Sequence, residues 1–153
     1  MEKIVIGSDH GGFRLKQALG EYLLEKGLRV YDVGTYSQER CDYPLTSFVA
    51  AKAVSDGRFK RGILICKSGI GNSIVANKLP RVRAALCHSV RAARLSRQHN
   101  DSNMLVLGAS FSSVRQAKQI VSVWLSTGFE GGRHRKRLNQ ILQIEKALCN
   151  PRS

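Results

Sequence analysis

Short apolar runs alternate with amphipathic segments of helix length along the chain, and this alternation constrains the fold more than any other feature. Each of five runs is followed by a segment with apolar residues at helical spacing. Parallel strands need long crossover connections, usually helices, and these crossovers are right-handed. The pattern predicts a three-layer α/β sandwich with about five parallel strands. The predicted strands are KIVIGSD, LRVYDVG, RGILIC, VRAALCH and NMLVLGA.

The length of 153 residues suits one domain with a sizeable core, and no repeat or linker interrupts the pattern. We expect a single domain over 1–153, with a final helix at about 134–149 that tails off at Pro151. No apolar run reaches membrane-spanning length, and the start MEKIVIGSDH lacks the features of a signal peptide. These observations predict a cytoplasmic protein without membrane association. The four cysteines show no paired spacing, so we expect free thiols and no metal site.

The net charge of +14 is the most unusual global property of the chain. A basic protein can bind nucleic acid or an acidic small molecule. However, the lysines and arginines are spread along the sequence, with one cluster at 133–137, and no nucleic-acid-binding motif accompanies them. We therefore expect an anionic ligand and no specific nucleic-acid partner.

The stretch CKSGIGNS (66–73) places a thiol and two glycines between a buried strand and a helix. Backbone N–H groups at a helix start can bind an anion, and ligands of parallel sheets lie beyond the carboxyl ends of the strands. The spacing is neither that of a Walker A loop nor Gly-x-Gly-x-x-Gly. From spacing alone, the stretch is either an anion-binding helix start or a tight turn in which Cys66 is a small buried hydrophobe.

Three further polar clusters border predicted strands. SDHGG offers Asp9 and His10 after the first strand, although capping the next helix is the simpler role for Asp9. SRQHND places His99 in a polar group just before a buried strand. GGRHRKR sets Arg133 and Arg137 four residues apart, on one helical face, which suits a phosphate; a solvated basic face is the alternative.

Together these clusters resemble the type B ribose-5-phosphate isomerases and their galactose-6-phosphate isomerase relatives. The resemblance is carried by GSDHGG, DVGTYS with CDYP, GILIC-SGIG-SI-ANK, RAALCH, ARLSRQHND-N-L-LG and WL…FEGGRH--R, in family order over nearly the whole chain. It implies a Rossmann-like sheet, in agreement with the pattern of strands and helices. It also implies an aldose–ketose isomerase that interconverts ribose 5-phosphate and ribulose 5-phosphate with no metal or other cofactor.

The resemblance also assigns roles to individual residues. In the subgroup with a cysteine after the third strand, that cysteine is the base, so Cys66 is expected to move a proton between C2 and C1 through a cis-enediolate. The other subgroup has a glutamate at the position of Asn72, and an asparagine cannot act as that base. His99 is expected to open the sugar ring and, with Asn100, to reach the site of a neighbouring subunit in a homodimer or tetramer.

The remaining site residues also follow from the resemblance. Ser68 and Asp9 are expected to assist catalysis, and the N–H groups of residues 69–72 are expected to face the developing oxyanion. The expected substrate-binding residues are His10, Tyr43, Gly69, Ile70, Gly71, Asn72, Asn100, Arg133, His134 and Arg137.

Two positions depart from the family pattern. Lys67 follows the cysteine where glycine is common, and Ser110 stands where an arginine usually reaches a phosphate across the dimer. Both changes bear on the phosphate site, and therefore on the choice of substrate more than on the type of reaction. Two alternatives stay open: isomerisation of a six-carbon phosphosugar such as galactose or allose 6-phosphate, and a non-catalytic binder of phosphosugars or polyanions.

Overall fold

The computed structural model describes residues 1–150 and confirms the predicted three-layer α/β fold; the predicted end of the last helix at Pro151 lies outside the described residues. Five parallel strands form one sheet in the order β2-β1-β3-β5-β4. The strands are β1 (Lys3–Ser8), β2 (Arg29–Asp32), β3 (Arg61–Cys66), β4 (Ala84–Leu86) and β5 (Met104–Gly108). The helices are α1 (Phe13–Glu25), α2 (Tyr43–Ser55), α3 (Ile70–Ala76), α4 (Val90–Asn100), α5 (Val114–Ser126) and α6 (Arg133–Cys149).

The central strands are buried on both faces because helices cover the sheet from both sides. On one face, Ile4 and Ile63 pack with apolar side chains of α1, α4 and α5, including Trp124. On the other face, Val5 and Leu64 pack against α2 and α3. Alternate residues of one strand thus enter opposite cores, which explains why β1, β3 and β5 are almost uninterrupted apolar runs.

Three element boundaries differ from the sequence-based expectation. The fourth strand is only Ala84–Leu86, an edge strand shorter than the predicted VRAALCH. Helix α3 ends at Ala76, before Pro80, because Asn77 turns the chain: its side chain accepts a hydrogen bond from the Ala84 N–H (2.9 Å) and donates one to the Ala84 carbonyl (3.0 Å). Helix α6 begins at Arg133, one residue earlier than expected.

The strand order sets where a ligand is expected to bind. Strand β1 lies between β2 and β3. The chain adds β2 on one side of β1 and then adds β3 on the opposite side, so the order of strands reverses at β1. Such a reversal opens a crevice at the carboxyl ends of the two strands involved. We call the side of the sheet formed by the carboxyl ends of the strands the carboxyl edge, and the opposite side the amino edge.

Candidate active site

The crevice at the carboxyl edge brings Asp9 next to Cys66. Ser8 and Ile65 are paired in the sheet, and the Asp9 N–H donates a hydrogen bond to the Ile65 carbonyl at 3.3 Å. The next residues, Asp9 and Cys66, therefore leave adjacent strands side by side, at the roughly 4.8 Å spacing of a sheet. The side chain of Cys66 is buried beneath the loop that follows it.

The loop after Cys66 directs a backbone donor at the thiol. The Gly69 N–H donates a hydrogen bond to Cys66 Sγ at 3.1 Å. Gly69 has a φ of +79°, and a Cβ there would lie 2.5 Å from Leu86 Cδ1, so both conformation and space require glycine. This hydrogen bond fixes the position of the sulfur, the atom through which a cysteine acts as a base or nucleophile.

The first turn of α3 holds the free donors of this loop. The Ile70 N–H donates to Ser68 Oγ at 3.2 Å, so two of the four donors expected for the oxyanion already have acceptors within the loop. The N–H groups of Gly71 and Asn72 have no acceptor within residues 1–150. These two groups are therefore available to an anionic ligand beside Cys66.

Helix α2 covers this turn from one side. The ring of Tyr43 lies against Gly71 so closely that a methyl group at position 71 would overlap it. Ser47 Oγ donates to Asn72 Oδ1 at 2.5 Å, while the buried Nδ2 of Asn72 has no partner in the described chain. Asn72 thus holds an unpartnered amide donor, buried beneath the first turn of α3. Ser47 was not identified from the sequence, since a serine within a helix carries no distinguishing signal.

Asp9 and His10 are both fixed by backbone groups. Asp9 Oδ1 accepts a hydrogen bond from the Gly12 N–H at 3.0 Å, so Asp9 stabilises the turn before α1 and does not cap the helix, whose N-cap is Gly12. His10 Nδ1 lies 3.2 Å from the Cys41 N and 3.1 Å from the Cys41 carbonyl oxygen. Contact with Cys41 orients the imidazole and was missed, although the stretch CDYP that contains Cys41 was one of the matching motifs.

The two positions that depart from the family pattern are neighbours in the structure. The Ser110 N–H donates to the Lys67 carbonyl at 2.9 Å, which joins the loop after β5 to the loop after β3. Lys67 is exposed and forms no ion pair within the described part of the chain. A flexible cation therefore lies beside Ser110, next to the crevice.

A second group of predicted site residues lies at the amino edge. His99, in the last turn of α4, stacks on His134, in the first turn of α6, with ring centroids 4.2 Å apart and planes inclined by 12°. Glu130 Oε2 is 3.7 Å from His134 Nε2. Burial, together with the neighbouring His99, lowers the pKa of His134. Asn100, Arg133 and Arg137 are exposed around this pair.

Cys66 and its loop do not meet the pair of His99 and His134 within one chain. Helix α4 starts after the carboxyl end of β4 and ends before β5, so it runs back across the sheet. Its eleven residues span about 16 Å. The Asn100 carbonyl accepts a hydrogen bond from Arg83, the residue just before β4, which places His99 and Asn100 at the amino edge, far from Cys66.

Neither Cys87 nor the cluster of His99, Glu130 and His134 forms a catalytic site by itself. All four cysteines are free, and burial raises the pKa of the Cys87 thiol to about 11, so this thiol is inert at neutral pH. The potential ligand atoms of His99, Glu130 and His134 lie within 4.8 Å of one another. The stacked rings are nearly parallel, however, so their nitrogen lone pairs do not converge as tetrahedral metal binding requires.

A comparison with models of protein families shows which family this chain matches. A model described as Ribose/Galactose Isomerase matches residues 4–141. The chain belongs to the ribose/galactose isomerase family. It is 47% identical over 146 residues to ribose-5-phosphate isomerase B of Escherichia coli K12, covering 95% of this chain and 98% of the relative.

Solved structures of family members agree with the fold. Ribose-5-phosphate isomerase B of Clostridium thermocellum superposes with a TM-score of 0.94 at 46% identity, covering 95% of this chain and 99% of that one. The Mycoplasma genitalium enzyme, solved with bound ribulose-5-phosphate, gives a TM-score of 0.91 at 40% identity, covering 94% and 96%. The resemblance seen in the sequence is therefore confirmed. Within residues 1–150, no helix is both long and apolar enough to cross a membrane.

Proposed function

We propose that this member of the ribose/galactose isomerase family interconverts ribose 5-phosphate and ribulose 5-phosphate. The observation that carries the proposal is the buried Cys66 thiol at the carboxyl edge, which accepts the Gly69 N–H and lies beside the free N–H groups of Gly71 and Asn72. An aldose–ketose isomerase needs a base for one carbon-bound proton and donors for the oxygen that becomes negative. The crevice holds both.

The proposed reaction starts from the open-chain sugar. Cys66, as the thiolate, removes the C2 proton, and the electron pair of the broken C–H bond forms the C1–C2 double bond of a cis-enediolate while the carbonyl oxygen becomes negative. Gly71 and Asn72 donate hydrogen bonds to this oxygen, and one such donor contributes about 3 kcal/mol to a transition state. Cys66 then returns the proton to C1, the hydroxyl proton on O2 passes to the negative O1, and the carbonyl forms at C2. Ser68, Asp9 and Tyr43 line the same crevice as helpers.

We also propose that two subunits share each active site. Ring opening by His99 and proton transfer by Cys66 act on one small sugar, yet the two residues lie at opposite edges of a single chain's sheet. A neighbouring subunit resolves this separation by presenting its amino edge to the crevice. The exposed apolar side chains beside the crevice suit such an interface; they are Leu45, Phe48, Val49, Ile70 and Ile74.

The phosphate group is proposed to bind between the two subunits. Arg133 and Arg137 are exposed, lie one helical turn apart and carry guanidinium groups suited to phosphate. His10 and Lys67 supply donors from the carboxyl edge. The four free thiols support a reducing, cytoplasmic setting for the enzyme.

Turnover of ribose 5-phosphate, followed by NMR without added metal, tests the proposal. The expected result is an equilibrium mixture of ribose 5-phosphate and ribulose 5-phosphate, reached by wild type within minutes. The same assay with galactose 6-phosphate and allose 6-phosphate separates the two isomerase alternatives. Binding of these sugars without turnover of any would instead show a phosphosugar binder.

A further inference from the structure

His134 is held against His99 by the backbone around it. Gly131 and Gly132, with φ of +69° and +53°, turn the chain into α6, and the His134 N–H donates to the Gly131 carbonyl at 3.0 Å. The Glu130 N–H donates to the Gln98 carbonyl at 3.1 Å, which fixes this turn to the residue before His99. Main-chain hydrogen bonds therefore fix the start of α6 relative to the end of α4, and this holds the imidazole of His134 against that of His99.

The surroundings of His134 do not suit a phosphate ligand. His134 is only 5% exposed, and one face of its ring is covered by His99 at a centroid distance of 4.2 Å. A phosphate contact requires a ring nitrogen that the ligand can reach, and a positive charge on the ring strengthens it. Burial and the nearby His99 and Arg133 oppose that charge by lowering the pKa of His134, although Glu130 acts in the other direction.

We infer that His134 is a positioning residue, which holds the imidazole of His99 in the orientation needed to open the sugar ring in the neighbouring subunit's site. The inference rests on the proposed function and changes the role that the family resemblance assigns to His134. Stacked aromatic rings attract each other and fix their mutual orientation. His99 is itself only partly buried, so its imidazole can reach a ligand held by the partner subunit. Arg133 and Arg137 remain as the arginines that bind phosphate.

Paired substrates separate this role from a general structural one. Ribose 5-phosphate closes into a ring, whereas erythrose 4-phosphate has no free hydroxyl in the position that would close one. In His134→Leu, we expect kcat on ribose 5-phosphate to fall about tenfold or more, because misplacement of a reacting group by about 1 Å can cost 100-fold. Turnover of erythrose 4-phosphate should change far less. His134→Phe, which keeps an aromatic ring in the stack, should recover most of the loss.

Two controls complete the experiment. His88→Leu removes an exposed histidine that packs on Phe111 and has no role in the proposed reaction, and should leave the ratio of activities on the two substrates unchanged. In a His99→Asn background, His134→Leu should cause no further loss on ribose 5-phosphate, because His134 acts through His99. His134→Gln provides a second variant without the ring, and circular dichroism checks the folding of each variant.

The possible outcomes separate the inference from the proposed function. Equal losses on both substrates, a His134→Phe variant as impaired as His134→Leu, or additive losses in the double variant would overturn the inference while leaving the isomerase activity in place. Failure of both ring-less variants to fold would also overturn it, because the role would then be structural. Wild-type protein that turns over neither substrate would instead contradict the proposed function, and the inference with it.

Discussion

Mixing two inactive variants should restore activity if each site takes residues from two chains. Cys66→Ala removes the proposed base at the carboxyl edge, and His99→Asn removes the proposed ring-opening group at the amino edge. Because these positions lie at opposite edges of the sheet within one chain, each variant alone should have no complete site for ribose 5-phosphate. A mixed dimer has one site with both defects and one site with neither.

The size of the recovery follows from this geometry. Random reassociation of equal amounts makes about half of the dimers mixed, each with one intact site of two, so activity should approach about a quarter of that of wild type. The two variants are mixed in mild denaturant, returned to buffer and assayed with ribose 5-phosphate, and each variant treated alone is the control. Exchange is verified by native mass spectrometry. Mixed dimers without a gain in activity would show that the site is built within one chain.

Three further predictions concern single positions. Asp32→Ala should destabilise the protein by about 1–3 kcal/mol in urea unfolding, because the buried Lys16 ammonium, which lies 2.6 Å from Asp32 Oδ1, then keeps only the Thr35 carbonyl as an acceptor. Lys16→Met should lower the free energy of unfolding by less, since the Asp32 carboxylate is 41% exposed and regains water. A larger loss in Lys16→Met than in Asp32→Ala would refute this account. Ser102→Ala should cost about 1–3 kcal/mol and lower Tm, because Trp124 Nε1 loses its acceptor at 2.8 Å; an unchanged Tm would contradict the role of that hydrogen bond. Lys67→Gly should raise KM for ribose 5-phosphate several-fold with little change in kcat, whereas a fall in kcat alone would place Lys67 at the chemistry rather than at the phosphate.

The fold was predictable because the sequence repeats one simple signal. Apolar runs alternating with helical periodicity indicate parallel strands and covering helices, and the structure has these elements in this order. The order of strands in the sheet was not predictable, because it depends on which faces the helices cover rather than on any local pattern. The early end of α3 was missed for a related reason: Asn77 pairs with Ala84 through a side chain, which periodicity does not detect.

The candidate site was predictable only in part. The loop after Cys66 lies beside Asp9, as expected from the carboxyl ends of parallel strands. The hydrogen bond from the Gly69 N–H to Cys66 Sγ was not predicted. It depends on the conformation of the glycine turn, which decides which N–H groups remain free and which the sequence alone does not give. The stack of His99 on His134 joins residues from different helices, and no spacing rule connects two such positions.

Exchange of the C2 proton of ribose 5-phosphate with solvent deuterium tests the central claim, that Cys66 is the base, most directly. The wild-type protein and Cys66→Ala are compared in D2O by NMR, with phosphosugar binding measured in parallel to show that the variant is folded. We predict deuterium in the sugar with the wild-type protein and no exchange with Cys66→Ala, while binding persists. Exchange at the wild-type rate in Cys66→Ala would contradict the account, because another residue would then remove the proton.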